Sequence, residues 1–231
     1  ANIIADNQGN PWATYGLNAW AGVNNGVVVP STVVDVDGTT VLFTNGEVNN
    51  IVADFTYSTN AVPSPSAMQF GSAAPVTLSI ASNRTITARG ILVTADSGGG
   101  GILNSGSGGF IRPNRSTVAN TSFNVIQNSG NDFTIGASIT NGSSGAATQL
   151  VKSGAGRLIL TNNNGYTGGT TINEGTIQVG DGNTTGGLGG SAGTITNNGL
   201  LVFNRSNQID VTNSITGSGA VHQIGSGQLT L

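Results

Sequence analysis

The chain repeats itself. Thr85-Ile86-Thr87-x-x-Gly90-Ile91-Leu92-Val93 matches Thr194-Ile195-Thr196-x-x-Gly199-Leu200-Leu201-Val202, and Thr171-Ile172-Asn173-x-Gly175-Thr176-Ile177-Gln178-Val179 is a shortened form. Residues 153–160 match residues 224–231, and Phe133-x-Ile135-x-x-Ser138-Ile139-Thr140 matches Ile209-x-Val211-x-x-Ser214-Ile215-Thr216. Each copy is a short apolar run, a small turn and a second short run, which is strand-and-turn punctuation. Such runs recur at 33–36, 41–43, 76–80, 91–93, 158–160, 177–179, 200–203 and 229–231. Five Asn-Gly pairs (Asn25-Gly26, Asn45-Gly46, Asn141-Gly142, Asn164-Gly165, Asn198-Gly199) supply residues that tolerate positive φ. No helical periodicity persists anywhere.

A strand–turn–strand of this size cannot bury its apolar face alone. Stacking successive copies aligns equivalent strands about 4.8 Å apart, so that each backbone pairs with the coil above and the coil below. Inward Ile, Val and Leu then form a continuous column, Gly and Asn take the corners, and Asn and Thr stack as ladders. The expectation is an all-β parallel β-solenoid. A β-sandwich built from the same short strands is the alternative. Composition fits a stacked coil: 37 glycines, 28 asparagines, 28 threonines and 22 serines make up half of the 231 residues, and only 7 % are charged. Disorder does not fit, because 36 % of residues are apolar and the net charge is only −3.

The same figures exclude other classes. Half the chain is poor helix former, against a bundle or coiled coil. With no cysteine there is no disulfide scaffold. Seven basic residues against ten acidic leave no cationic face for nucleic acid. No segment approaches the roughly 18 consecutive apolar residues of a membrane helix, and the runs are too short, and aromatics too scarce, for a membrane barrel.

One stretch is more specific. Lys152, Gly154, Gly156, Leu158 and Leu160 spell Lys-x-Gly-x-Gly-x-Leu-x-Leu; Asn164, Tyr166, Gly168, Thr170 and Ile172 spell Asn-x-Tyr-x-Gly-x-Thr-x-Ile; Gly175, Ile177 and Val179 close it as Gly-x-Ile-x-Val. This resembles the autotransporter-associated β-strand repeat, with Ile177 in place of the family's Leu. Residues 187–204 look like its continuation, and 217–231 like the start of another copy. Trp12 and Asn18-Ala19-Trp20 resemble the opening of such passengers. The resemblance implies a right-handed parallel β-helix, secreted to or displayed on a bacterial surface, structural or adhesive and not enzymatic. It divides the chain into a cap-like segment (1–32) and solenoid repeats (33–231, best matched over 150–231). Because the sequence stops at Leu231 inside a copy, the expectation is a piece of a longer chain, or coils that stack end to end as fibre subunits in an extracellular matrix or biofilm. Surface glycans are a further candidate partner.

Candidate chemistry is sparse. His222, the only histidine, aligns with Val151, an ordinary strand position, and nothing near it resembles a nucleophile elbow. Asp35 and Asp37 fall on one side of a strand end. They are weak candidates for an acid–base pair on a glycosidic bond or, with a neighbouring Asn or carbonyl, for calcium. The simpler role is a strand end and turn. Trp12, Tyr15 and Trp20 suit sugar stacking or, more simply, closure of the first coil. The run Ser97-Gly98-Gly99-Gly100-Gly101 lacks the Lys-Ser/Thr of a phosphate loop and reads as a surface turn. Six Asn-x-Ser/Thr sites (Asn83, Asn114, Asn120, Asn141, Asn183, Asn204) are what this composition yields by chance. No cofactor is implied.

Overall fold

A computed structural model of the chain describes residues 2–3, 21–24, 27–30, 33–37, 43, 45, 47–105, 108–113, 121–190 and 193–231. Asn2–Ile3, Ala21–Asn24 and Val27–Pro30 form a small antiparallel sheet. From Val33 onward every strand pairing among the described residues is parallel, and strands are stacked by coil.

The first sheet runs through nine strands: Val33–Val36, Val48–Ile51, Ala67–Phe70, Gly90–Val93, Thr121–Gln127, Thr148–Ser153, Thr170–Ile172, Ile195–Asn197 and Ile215–Thr216. The second runs through eight: Phe55–Tyr57, Val76–Ala81, Gly100–Ser105, Phe133–Ile135, Arg157–Leu160, Thr176–Val179, Leu200–Phe203 and Ala220–Gln223. A third, thinner face holds Thr85–Thr87, Phe110–Arg112 and Ser138–Ile139. It continues as bridges from Thr140 to Gly165 and from Asn163 to Gly187. Ile209–Asp210 pairs with Leu229–Thr230.

The period of two decides what is inside. Phe55, Leu78, Ile102, Ile135, Leu160, Val179 and Phe203 are successive register partners. All but Phe55 are buried. In the first sheet Met68, Ile91, Val125, Lys152, Ile172 and Asn197 form the equivalent column. Phe70 of one face meets Phe133 of the other edge-on, ring centres 4.7 Å apart. The solenoid, not the sandwich, is the fold.

Four expectations change in detail. The three longer repeat matches relate strands on different faces. Residues 85–93 span the third face and the first, whereas 194–202 span the first and the second; the pairs 133–140 with 209–216 and 153–160 with 224–231 move on by one face in the same way. What repeats is the corner, not the coil. Among these matches, 171–179 and 194–202 alone share faces; there Thr170, not Ile172, partners Ile195, a slip of two residues that keeps every side chain on its face. His222 therefore partners Val202 in the second sheet, where it is exposed. The glycine run is no surface turn: Ser97 is buried and Gly100–Ser105 is a strand. A Cβ on Gly100 would lie 2.0 Å from Val76 O, so glycine is what lets these coils touch. Finally, Phe43 lies outside any strand, Val41 and Leu42 fall outside the described residues, and the last strand is Leu229–Thr230.

Candidate functional site

The repeat at 150–179 is where sequence pattern and packing coincide. Strand Thr148–Ser153 alternates strictly, and Thr148, Leu150 and Lys152 point inward. Lys152 thus sits fully buried in a column otherwise led by apolar residues. Its four methylenes lie in the core and its Nζ ends at the corner, donating to Gly154 O (2.6 Å), Ser153 O (3.0 Å) and Glu174 O (3.2 Å). Burial pushes its pKa down to about 8, opposed by the nearby Glu174 charge. At neutral pH the group is an ammonium clamped by three carbonyls of two coils.

The glycines around it are fixed by geometry. Gly154 and Gly175 have φ of +79° and +69°, a region that side chains avoid. A Cβ on Gly175 would lie 2.4 Å from Gly154 O, and one on Gly156 would lie 2.3 Å from Ser129 O. Leu158, Leu160, Ile172 and Val179 are buried to the last atom.

At the opposite corner Asn164 bridges three coils. Its Oδ1 accepts from Ile139 N (2.8 Å) and its Nδ2 donates to Gly187 O (2.7 Å) and Asn162 O (3.3 Å). Tyr166 is fully buried, with its hydroxyl 2.7 Å from Thr170 Oγ1. Burial pushes its pKa up to about 12, against the hydrogen bonds from Thr170 and the Gly189 backbone. A Cβ on Gly189 would lie 2.4 Å from the Tyr166 ring, and one on Gly168 would lie 2.7 Å from the Thr148 carbonyl carbon. The motif residues of the repeat go into the core and into bonds within and between coils.

The same corner device recurs outside the repeat motif. Gln178 Nε2 donates to Gly180 O (2.8 Å) and Gln223 Nε2 to Gly225 O (3.0 Å), two residues on, as Lys152 does to Gly154. Asn197 accepts from Gly199 N and donates to Ala220 O. The buried Gln127 ties Ser129 N, Asn131 O and Arg157 O. The readable signal is a long polar residue two places before a strand-end glycine.

The remaining candidates are scattered. Asp35 is exposed and accepts from Asn50 Nδ2 at 2.9 Å; Asp37 follows the strand end. Among the described residues no three His, Asp or Glu side chains converge. Trp12, Tyr15 and Trp20 lie outside the described residues. Phe43 instead packs at a tilt against Phe55 and edge-on against Tyr57, with ring centres 5.8 and 5.9 Å away; these are the described aromatics of the first coils. They line a cavity of about 270 Å³. Among the described residues no helix is long and apolar enough to cross a membrane.

Comparison with known proteins agrees with this geometry. Residues 150–179 match the passenger-associated-transport-repeat family. The chain is 36 % identical over 135 residues to the adhesin BmaC autotransporter of Brucella suis biovar 1 (strain 1330). That alignment covers 55 % of this chain and 4 % of the adhesin, so the chain spans a small part of its relative's length. No solved structure matches it.

Proposed function

We propose that this chain, which carries a passenger-associated transport repeat over residues 150–179, is a section of a bacterial surface or secreted β-solenoid that serves as a structural or adhesive element and not as an enzyme. The observation that carries this reading is the spending of the repeat's fixed residues on stacking. Lys152 and Asn164 are hydrogen-bonded to neighbouring coils and Tyr166 is fully buried against Thr170, and a catalytic group needs a free face toward substrate. Similarity to an autotransporter adhesin supports the adhesive side of the reading. Adhesion then belongs to the outward ladders. One such row is Thr171, Thr196 and Thr216, flanked by the exposed Asn173, Asn198 and Ser218.

Display of the chain on a bacterial surface, followed by glycan-array and cell-adhesion assays, tests this. Retention on a glycan or cell surface without turnover supports the reading, and cleavage of any polysaccharide overturns it. End-to-end contact is the form of self-association to look for, because parallel strands stacked coil on coil pair along the solenoid axis. A sedimentation profile that stays monomeric at high concentration would remove that part.

A further inference from the structure

Asparagine followed by glycine carries a chemistry of its own. The glycine nitrogen, which no side chain shields, attacks the asparagine Cγ; ammonia leaves and a cyclic imide forms. Water then opens the ring at either carbonyl and leaves aspartate or isoaspartate. The carboxamide must turn toward the nitrogen, the glycine N–H must give up its hydrogen bond, and water must reach the ring. Three of the five Asn-Gly pairs lie wholly within the described residues, and the fold treats them differently.

Two of the pairs are held. Asn141 Oδ1 accepts from Thr148 N and Thr167 N, both at 3.0 Å, and its Nδ2 donates to Thr167 Oγ1 at 3.0 Å. Gly142 is buried, with its N–H on Thr148 Oγ1. Asn164 is bonded by Ile139 N on one side and to Gly187 O on the other, and Gly165 N donates to Ile139 O at 2.8 Å. Both carboxamides tie neighbouring coils, so turning either one toward its glycine nitrogen breaks bonds between coils. Asn198 differs. It is exposed, and among the described residues its carboxamide makes one long bond, accepting from Ser218 N at 3.3 Å. Gly199 N donates to Asn197 Oδ1 at 3.1 Å, a bond inside the same turn. Releasing it leaves the backbone bonds from Asn198 N to Ile172 O and from Leu200 N to Gly175 O in place.

We propose that Asn198-Gly199 is a site of spontaneous covalent modification, at which the folded chain deamidates, while Asn141-Gly142 and Asn164-Gly165 are held against the same reaction by their coils. The reaction consumes one water, releases one ammonia and needs no other reactant. Its product puts a carboxylate between Asn173 and Ser218, in the flank of the Thr171, Thr196 and Thr216 row. The isoaspartate form also lengthens the main chain by one methylene at that corner. The site does not depend on the surface reading above, since the chemistry needs only the folded chain and water.

The test incubates the full chain in mildly alkaline buffer, folded and, in parallel, unfolded in urea. Peptide mapping by mass spectrometry follows the amide-to-acid conversion at each asparagine, and enzymatic methylation of isoaspartate follows the rearranged product. The ratio of folded to unfolded rate at each site removes the influence of the flanking sequence. That ratio should be about tenfold or more higher at Asn198 than at Asn141 or Asn164, because each of those must break two or more bonds to react. Asn198→Gln, a change at an exposed side chain, should remove most of the isoaspartate formed by the folded chain. Equal ratios at the three sites would overturn the proposal. So would an Asn198 that stays intact in the folded chain while the unfolded chain reacts, or an isoaspartate yield that Asn198→Gln leaves undiminished.

Discussion

At the residue scale the most unusual choice is a lysine on an inward strand position. An ammonium is costly to bury unless it is fully hydrogen-bonded, and Lys152 is: three carbonyls receive it. The cost shows in its pKa, about 8 against an ordinary 10.5. Between those values the unfolded chain holds a proton that the folded chain has released. Stability therefore rises with pH from about 8 to about 10.5 and falls back as pH drops through 8, by at most about 3 kcal/mol. Melting curves between pH 7 and 10.5 should show this rise in the native chain and lose it in Lys152→Met. That variant should also be less stable at pH 7 by a few kcal/mol, because the three carbonyls lose their donor. Gly175 is as constrained in a different way. With positive φ and no room for a Cβ, Gly175→Ala should lower stability by about 2 kcal/mol or more in denaturant titration.

At the element scale, corners hold more specific interactions than strands. Asn164 ties the coil before and the coil after to its own. Asn164→Ala should cost about 2 kcal/mol, whereas Asn163→Ala, next door but exposed, should stay within about 0.5 kcal/mol; chemical denaturation of the two side by side decides. The strands and their stacking were legible in the sequence because burial imposes a period of two on Val76–Ala81 and its kin. The coil phase was not. Lys152-Ser153-Gly154 and Gln223-Ile224-Gly225 align well, yet one corner follows the first sheet and the other the second. All the corners solve one problem, reversing the chain while capping carbonyls, so the same residues serve at each and sequence similarity cannot tell them apart. The Asp35–Asn50 pair was half legible: the carboxylate stood out, but its amide partner lies 15 positions away along the chain and meets it only through register.

At the scale of the whole molecule, each coil touches only its neighbours, so damage should spread locally. Hydrogen exchange on Lys152→Met should expose amides of 121–127 and 170–172, which flank the substituted strand, before those of 67–70. A uniform loss would indicate a single cooperative core instead. The central claim is that the fixed residues of the repeat serve stacking and leave the outward ladder for contact with other molecules. The most direct measurement compares the unfolding free energies of Tyr166→Phe, Asn164→Ala and Lys152→Met with those of Thr171→Ala and Asn173→Ala, all within the same repeat. The first three change side chains that link coils, or lie fully buried, and should each lose about 1 kcal/mol or more. The last two change outward side chains whose bonds to the neighbouring coil, from Gln149 Nε2 to Thr171 and from Asn173 to Ser153 Oγ, lie where water can replace them, and should stay within about 0.5 kcal/mol. Neutral inward variants with costly outward ones would contradict the account.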